Sequence, residues 1–140
     1  MSSVLHQATC VAIGTRAVLI EGPPGAGKSS LALMLIDRGA GLIGDDGVSL
    51  TVRSGTLYAS PPLKIAGLLE VRNLGLLSFP AQSDLPVALV LRLDPAAERF
   101  IEAPEQTSLC GIELPLVRLW PDGPALALKA ELALVRYGLA

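Results

Sequence analysis

Histidine and cysteine are scarce, with one His and two Cys in 140 residues. Cys10 and Cys110 are too few for a disulfide framework and too far apart for a Cys-x-x-Cys metal knuckle. With only His6 to join them, a zinc enzyme has no ligand set. Neither sign of charge dominates: 11 Lys and Arg stand against 13 Asp and Glu, a net charge of −2. That balance argues against a polybasic surface for nucleic acid or membrane. Long apolar runs are also missing. The stretch Leu85 to Leu93 is broken by Pro86 and Arg92 and falls short of the ~18–20 residues of a membrane span. The start, Met-Ser-Ser-Val-Leu-His-Gln, lacks a basic region followed by an apolar stretch and a cleavage site, so a cytoplasmic protein is expected. No internal repeat or low-complexity tract is present.

Hydrophobic residues make up 51% of the chain, charged residues 17%, and the mean hydropathy is +0.53. Such a composition folds rather than solvates. The length suits one domain over residues 1–140. Two paired strands are predicted from Val4 to Ile13 and Ala17 to Ile20, with Gly14-Thr15 as the turn. A helix is predicted from Lys28 to Arg38, stopped by Gly39. Leu42-Ile43 forms a strand that ends at Asp45-Asp46, and Val48 to Val52 turns at Ser54-Gly55 into Thr56 to Tyr58. Pro61-Pro62 opens an irregular section of strand and loop running to Pro80. Val87 to Leu93 reads as a buried strand, Asp94-Pro95 as a turn or helix start ahead of Ala96 to Arg99, and Leu114 to Leu119 as a strand. Ala125 to Tyr137 reads as a terminal helix, apolar almost all round, packed on the sheet or on a neighbouring subunit.

Gly22-Pro23-Pro24-Gly25-Ala26-Gly27-Lys28-Ser29 matches G-x-x-x-x-G-K-[ST] and stands between an apolar strand and a helix, as a phosphate loop requires. Glycines let successive backbone N–H groups point inward, and the helix adds its positive N-terminal end. Pro23 and Pro24 lie early, so the donors from Gly25 to Ser29 survive. Lys28 reaches terminal phosphates, Ser29 offers a hydroxyl to Mg²⁺, and Ser30 closes the nucleotide-binding set with Gly22, Gly25, Ala26 and Gly27. The bland alternative is a tight Gly-Pro turn.

A phosphate loop does not say what is phosphorylated. Asp45 and Asp46 end a strand after the loop helix, at the edge of a ligand crevice. One would hold the metal through water while the other accepts a proton from an attacking hydroxyl. The alternative is a solvated Asp-Asp-Gly turn. Glu70 and Arg72 share one face of a strand-like segment, as functional groups or as a surface ion pair. His6 either meets a phosphate or serves the N-terminal strand structurally.

Three segments together resemble the catalytic domain of the bacterial HPr kinase/phosphorylase family: Gly22 to Ser29, Leu33 through Asp46, and Ile65-Ala-Gly-Leu-Leu-Glu-Val-Arg-Asn-Leu-Gly75-Leu. The likeness covers His6 to Leu77 well and the C-terminal half weakly. It implies a P-loop-containing α/β fold with a central β-sheet and flanking helices. By the same likeness Lys28 and Ser29 serve phosphate and Mg²⁺, Asp46 is the general base, Glu70 assists the metal and Arg72 the phosphates. His6 matches an upstream histidine whose spacing differs by one residue. The resemblance has three departures: no N-terminal domain, Asn73 in place of a glycine, and a shorter segment after Gly75. It therefore suggests a short form of the enzyme.

The function this implies is ATP-dependent phosphorylation of a serine on the phosphocarrier protein HPr, with weak reverse phosphorylase activity. A homo-oligomer, hexameric in the family, is expected, with neither nucleic acid nor membrane as partner. The alternatives are a nucleotide-binding regulatory module and a small-molecule P-loop kinase.

Overall fold

A computed structural model describes residues 3–62 and 66–140. The first two residues of the start, Met1 and Ser2, and Ile65 of the family-like segment lie outside the described residues.

The chain opens with β1 (Ser3–His6), β2 (Thr9–Ile13) and β3 (Arg16–Glu21), and α1 (Lys28–Asp37) follows the glycine-rich loop. Next come β4 (Gly41–Gly44), the hairpin β5 (Val48–Arg53) and β6 (Thr56–Ser60), and the separate small hairpin β7 (Leu68–Val71) and β8 (Gly75–Ser78). The long strand β9 (Leu85–Leu93), the hairpin β10 (Glu105–Leu109) and β11 (Ile112–Leu119), and the helix α2 (Leu126–Tyr137) complete the described chain. The main sheet runs β1-β5-β6-β9-β3-β2-β4. β9 pairs parallel to β3. Opposite β3 it meets β6 at Leu85 and Pro86 and β11 from Val90 onward. Sharing one side of a nine-residue strand between two partners curls the sheet.

The curl explains why β3 is apolar without alternation. Val18 and Ile20 face a layer with Leu31 and Leu35 of α1 and Ala130 and Leu134 of α2. Ala17 and Leu19 face a second layer with Ile43, Leu50, Leu57 and Leu116. A strand buried on both faces needs apolar residues at every position. Both helices pack into the first layer, so the flanking helices lie on one face of the sheet and the strands close over the other. Leu31 and Leu35 are fully buried, each worth about 1.5–3 kcal/mol, and they fix α1 and hence the loop before it. No helix of the described residues is long and apolar enough to cross a membrane.

Two predicted elements are corrected and one strand is added. Val4 to Ile13 is two strands, because the chain changes partner at Gln7: β1 pairs with β5, whereas β2 pairs with β3 and β4. Asp94-Pro95 starts no helix. The Asp94 carboxylate accepts from the Ala96 N–H at 2.8 Å and its carbonyl from the Ala97 N–H at 3.1 Å, which closes a turn. The hairpin strand β10 carries Glu105-Gln106-Thr107-Ser108 and is mostly exposed, so it lacks the apolar signal of a strand.

Candidate active site

β3 carries the chain out of the core to Gly22, where a side chain would crowd the Ala26 Cβ at 3.1 Å and Leu93 at 3.4 Å. Gly25 and Gly27 have φ of 81° and 102°, a region in which L side chains are strained. The Ala26 N–H donates to the Pro23 carbonyl at 3.1 Å, so this one donor is spent inside the loop, contrary to the expectation that all from Gly25 to Ser29 are free. α1 begins with no side-chain cap and no acid in its first turn. Its first N–H groups thus remain for an anion. The Lys28 ammonium lies back across the loop and donates to the Gly22 carbonyl at 2.9 Å.

Beside the loop is a cavity of about 540 Å³ lined by Gln7, Pro24, Gly25, Gly27, Lys28, Ser29, Ser30, Asp46, Glu70 and Arg72. Residues from four parts of the sequence thus share one space.

The two aspartates differ. The Asp45 carboxylate accepts from the Ser29 hydroxyl at 2.7 Å, the Glu70 backbone N–H at 3.0 Å and the Thr9 hydroxyl at 3.2 Å. It ties α1, β7 and β2 together. Asp46 is exposed, lines the cavity, and makes no side-chain hydrogen bond among the described residues. Its φ of 60° turns the chain sharply, a conformation that Asp tolerates better than most residues. A Cβ on Gly44 would collide with the Gly47 carbonyl oxygen, so the turn holding the two acids is closed tightly. β4 and β3 are both antiparallel to β2 and therefore run the same way, which delivers the acids to the loop end of the sheet.

Glu70 is on β7, whereas Arg72 stands in the turn after it, not on the strand. Both reach the cavity. Asn73 has φ of 75° and Gly75 of 110°. Asparagine is the side chain that best replaces glycine in the left-handed region, which accounts for the departure at position 73.

His6 is not in this cavity. Its Nε2 lies 3.0 Å from a Glu21 carboxylate oxygen, in an adjoining groove of about 710 Å³ that also holds Arg92 and Arg118. Arg92 donates to Glu21 at 2.6 and 3.3 Å. Burial pushes the Glu21 carboxyl up, but the hydrogen bonds and charges of Arg92 and His6 outweigh it and hold the group below its usual value. Reading by motif missed Glu21, because its role depends on β9 lying beside β3.

No cluster of three or more His, Cys, Asp or Glu side chains placed to hold a metal occurs among the described residues. A cavity with the serines Ser29 and Ser30, the carboxylates Asp46 and Glu70, and room for phosphate fits Mg²⁺, which takes oxygen donors, keeps several waters and shares phosphate oxygens. Ser29 and Glu70 border that space, with Asp45 held behind Ser29.

Comparison with known proteins bears on this arrangement. Residues 2–83 match the family described as HPr Serine kinase C-terminal domain. The chain belongs to that family. The HPr kinase/phosphorylase of Clostridium tetani is 41% identical over 75 residues, 54% of this chain and 25% of that protein. That of Bordetella pertussis is 52% identical over 63 residues, 44% of this chain and 20% of that protein. The chain thus spans a quarter or less of these relatives. A solved structure, the Hpr(Ser) kinase/phosphatase from Coxiella burnetii, superposes with a TM-score of 0.82 at 28% identity, covering 95% of this chain and 88% of that one. The family match contains every residue of the cavity, and the likeness of fold continues through β9 to α2.

Proposed function

We propose that this chain is an ATP-dependent protein-serine kinase whose acceptor is the phosphocarrier protein HPr, with residues 1–140 forming one catalytic unit. The observation that carries the reading is the convergence of Lys28, Ser29, Asp46, Glu70 and Arg72 on one cavity at the mouth of a phosphate loop.

The loop N–H groups and the start of α1 hold the phosphates of ATP, with Gly22, Gly25, Ala26, Gly27 and Ser30 shaping the backbone. Lys28 leaves the Gly22 carbonyl for the terminal phosphates. Mg²⁺, when bound through Ser29 and Glu70, neutralises phosphate charge. Asp45 accepts the Ser29 hydroxyl's hydrogen at 2.7 Å, which leaves the lone pairs of that oxygen for the metal. Asp46, exposed and unpaired among the described residues, takes the proton of the serine hydroxyl as its oxygen bonds to the γ-phosphorus and the bond to ADP breaks. Lys28 and Arg72 offset the charge of the transferring group. His6 acts from the neighbouring groove, oriented by Glu21.

The reverse, phosphorylase reaction needs a second cationic seat for phosphate. Arg92 and Arg118 line the groove that holds His6 beside the loop, and both are tied to carboxylates: Arg92 to Glu21, Arg118 to Asp94 and Glu105. Reverse turnover is therefore the weaker. Exposed Leu128, Leu132 and Val135 on α2 support assembly into a homo-oligomer, and the net charge of −2 supports a role without nucleic acid. Turnover of ATP with HPr in both directions on one preparation tests the reading, and forward turnover should exceed reverse.

A further inference from the structure

The groove beside the loop holds a carboxylate in a cradle of donors that suits an oxyanion. Glu21 ends β3 one residue before Gly22, and its side chain is only 15% exposed. Its Oε1 accepts from Nη2 and Nε of Arg92 at 2.6 and 3.3 Å, and its Oε2 lies 3.0 Å from Nε2 of His6. An ionised carboxylate only accepts, so the imidazole nitrogen facing it carries the hydrogen. Two strands, β1 with His6 and β9 with Arg92, thus aim donors at one anionic group on a third. Arginine nitrogens in this arrangement take phosphate oxygens as well as carboxylate oxygens. Gly22 and Pro23 of the phosphate loop line the same groove, and Gln7 lines both the groove and the cavity that holds Lys28 and Asp46. The two spaces therefore adjoin.

We infer that Glu21 determines the direction of transfer, because its carboxylate fills from within the chain the seat that orthophosphate would take beside the loop. The inference rests on the kinase reading and adds to it the residue that disfavours the reverse reaction. In that reaction an orthophosphate oxygen bonds to the phosphorus of phosphoserine and the bond from that phosphorus to the serine oxygen breaks. The serine oxygen takes a proton from Asp46, and pyrophosphate leaves. Orthophosphate must be held in place for this attack, and His6 and Arg92 are donors that the groove offers. Glu21 competes for them at the high effective concentration of a tethered group. An orthophosphate that displaced it would strand a mostly buried carboxylate beside a second negative charge, which is costly. Arg118, another cation of the groove, is held by Asp94 and Glu105. ATP brings its phosphates to the loop and Lys28, so the block falls on the reverse direction.

The test counts bound orthophosphate by calorimetry at neutral pH. Wild type should take up one, at the loop, and Glu21→Ala two, with the second lost again when Arg92→Ala is added. Glu21→Gln keeps the packing, should also gain the second site, and carries the test if the alanine variant does not fold. With phosphoserine-HPr as substrate, Glu21→Ala should lower KM for orthophosphate about tenfold, the worth of one charge-assisted hydrogen bond gained by the ligand. A purely structural role for Glu21 would weaken both directions and add no phosphate site. One orthophosphate in the folded variants would overturn the inference, as would two in wild type. A second site with KM for orthophosphate within about twofold of wild type would also overturn it, by leaving the seat without effect on transfer. No transfer to HPr by the wild-type chain would overturn the kinase reading together with this one, an outcome distinct from active transfer that ignores Glu21.

Discussion

Replacing Asp45 with alanine removes one carboxylate and strands three donors on three different elements. Thr9 is fully buried, and a buried hydroxyl left without its partner costs about 1–3 kcal/mol. The Ser29 hydroxyl and the Glu70 N–H border the cavity and regain water, so each costs about 0.5–1.5 kcal/mol. The total is about 4 kcal/mol, a fall in Tm of roughly 10–20 °C for a domain of this size. Asp46→Asn is the control next door. It breaks no hydrogen bond among the described residues, and Asn accepts the left-handed backbone, so stability should stay within about 0.5 kcal/mol of wild type. Its serine phosphorylation should nevertheless fall by about 10²-fold or more, because the base is gone. Thermal and urea unfolding of both variants, with ATP turnover on HPr for Asp46→Asn, gives the comparison. A Tm for Asp45→Ala within about 3 °C of wild type would refute the division of labour, as would near-normal transfer by Asp46→Asn.

Lys28→Ala should lower ATP affinity at least about tenfold and abolish transfer, since it removes the loop's cation for the terminal phosphates; unchanged affinity by calorimetry would contradict that role. Gly44→Ala drives a Cβ into the Gly47 carbonyl, and because backbone must move the cost should be about 1–3 kcal/mol, with transfer impaired as the acidic turn opens; unfolding by urea checks it. Glu21 has its carboxyl held below the ordinary value, so its contribution to stability is fully present above that value, near pH 4.3, and is lost as pH falls through the lowered one. Glu21→Gln should accordingly be less stable than wild type at neutral pH, with the gap closing in acid. Unfolding curves across pH that stay parallel would count against the Arg92–Glu21–His6 cluster.

The phosphate loop was legible because its chemistry is local: glycines, a lysine and a serine in a fixed spacing, each required by the backbone that follows. Asp45 and Asp46 were legible as a pair, but which one faces the cavity depends on the Gly44–Gly47 closure and on the partners Thr9 and Glu70, which come from distant strands. Arg72 reached the expected place from a turn instead of a strand, because the left-handed Asn73 and Gly75 end β7 earlier than its apolar pattern suggests. His6 was separated from the other site residues by the partner change at Gln7, which no periodicity within Val4 to Ile13 reveals. β10 stayed hidden because an exposed hairpin strand needs no apolar alternation. The curl of the sheet likewise depends on β9 dividing one of its sides between β6 and β11, a long-range pairing.

The most direct measurement is incubation of the chain with γ-labelled ATP, Mg²⁺ and the HPr of the same organism, followed by mapping of the labelled residue. Label on a single HPr serine, absent with Lys28→Ala and strongly reduced with Asp46→Asn, is the predicted result. Tight ATP binding with no label on HPr would contradict the kinase assignment and leave a nucleotide-binding module in its place.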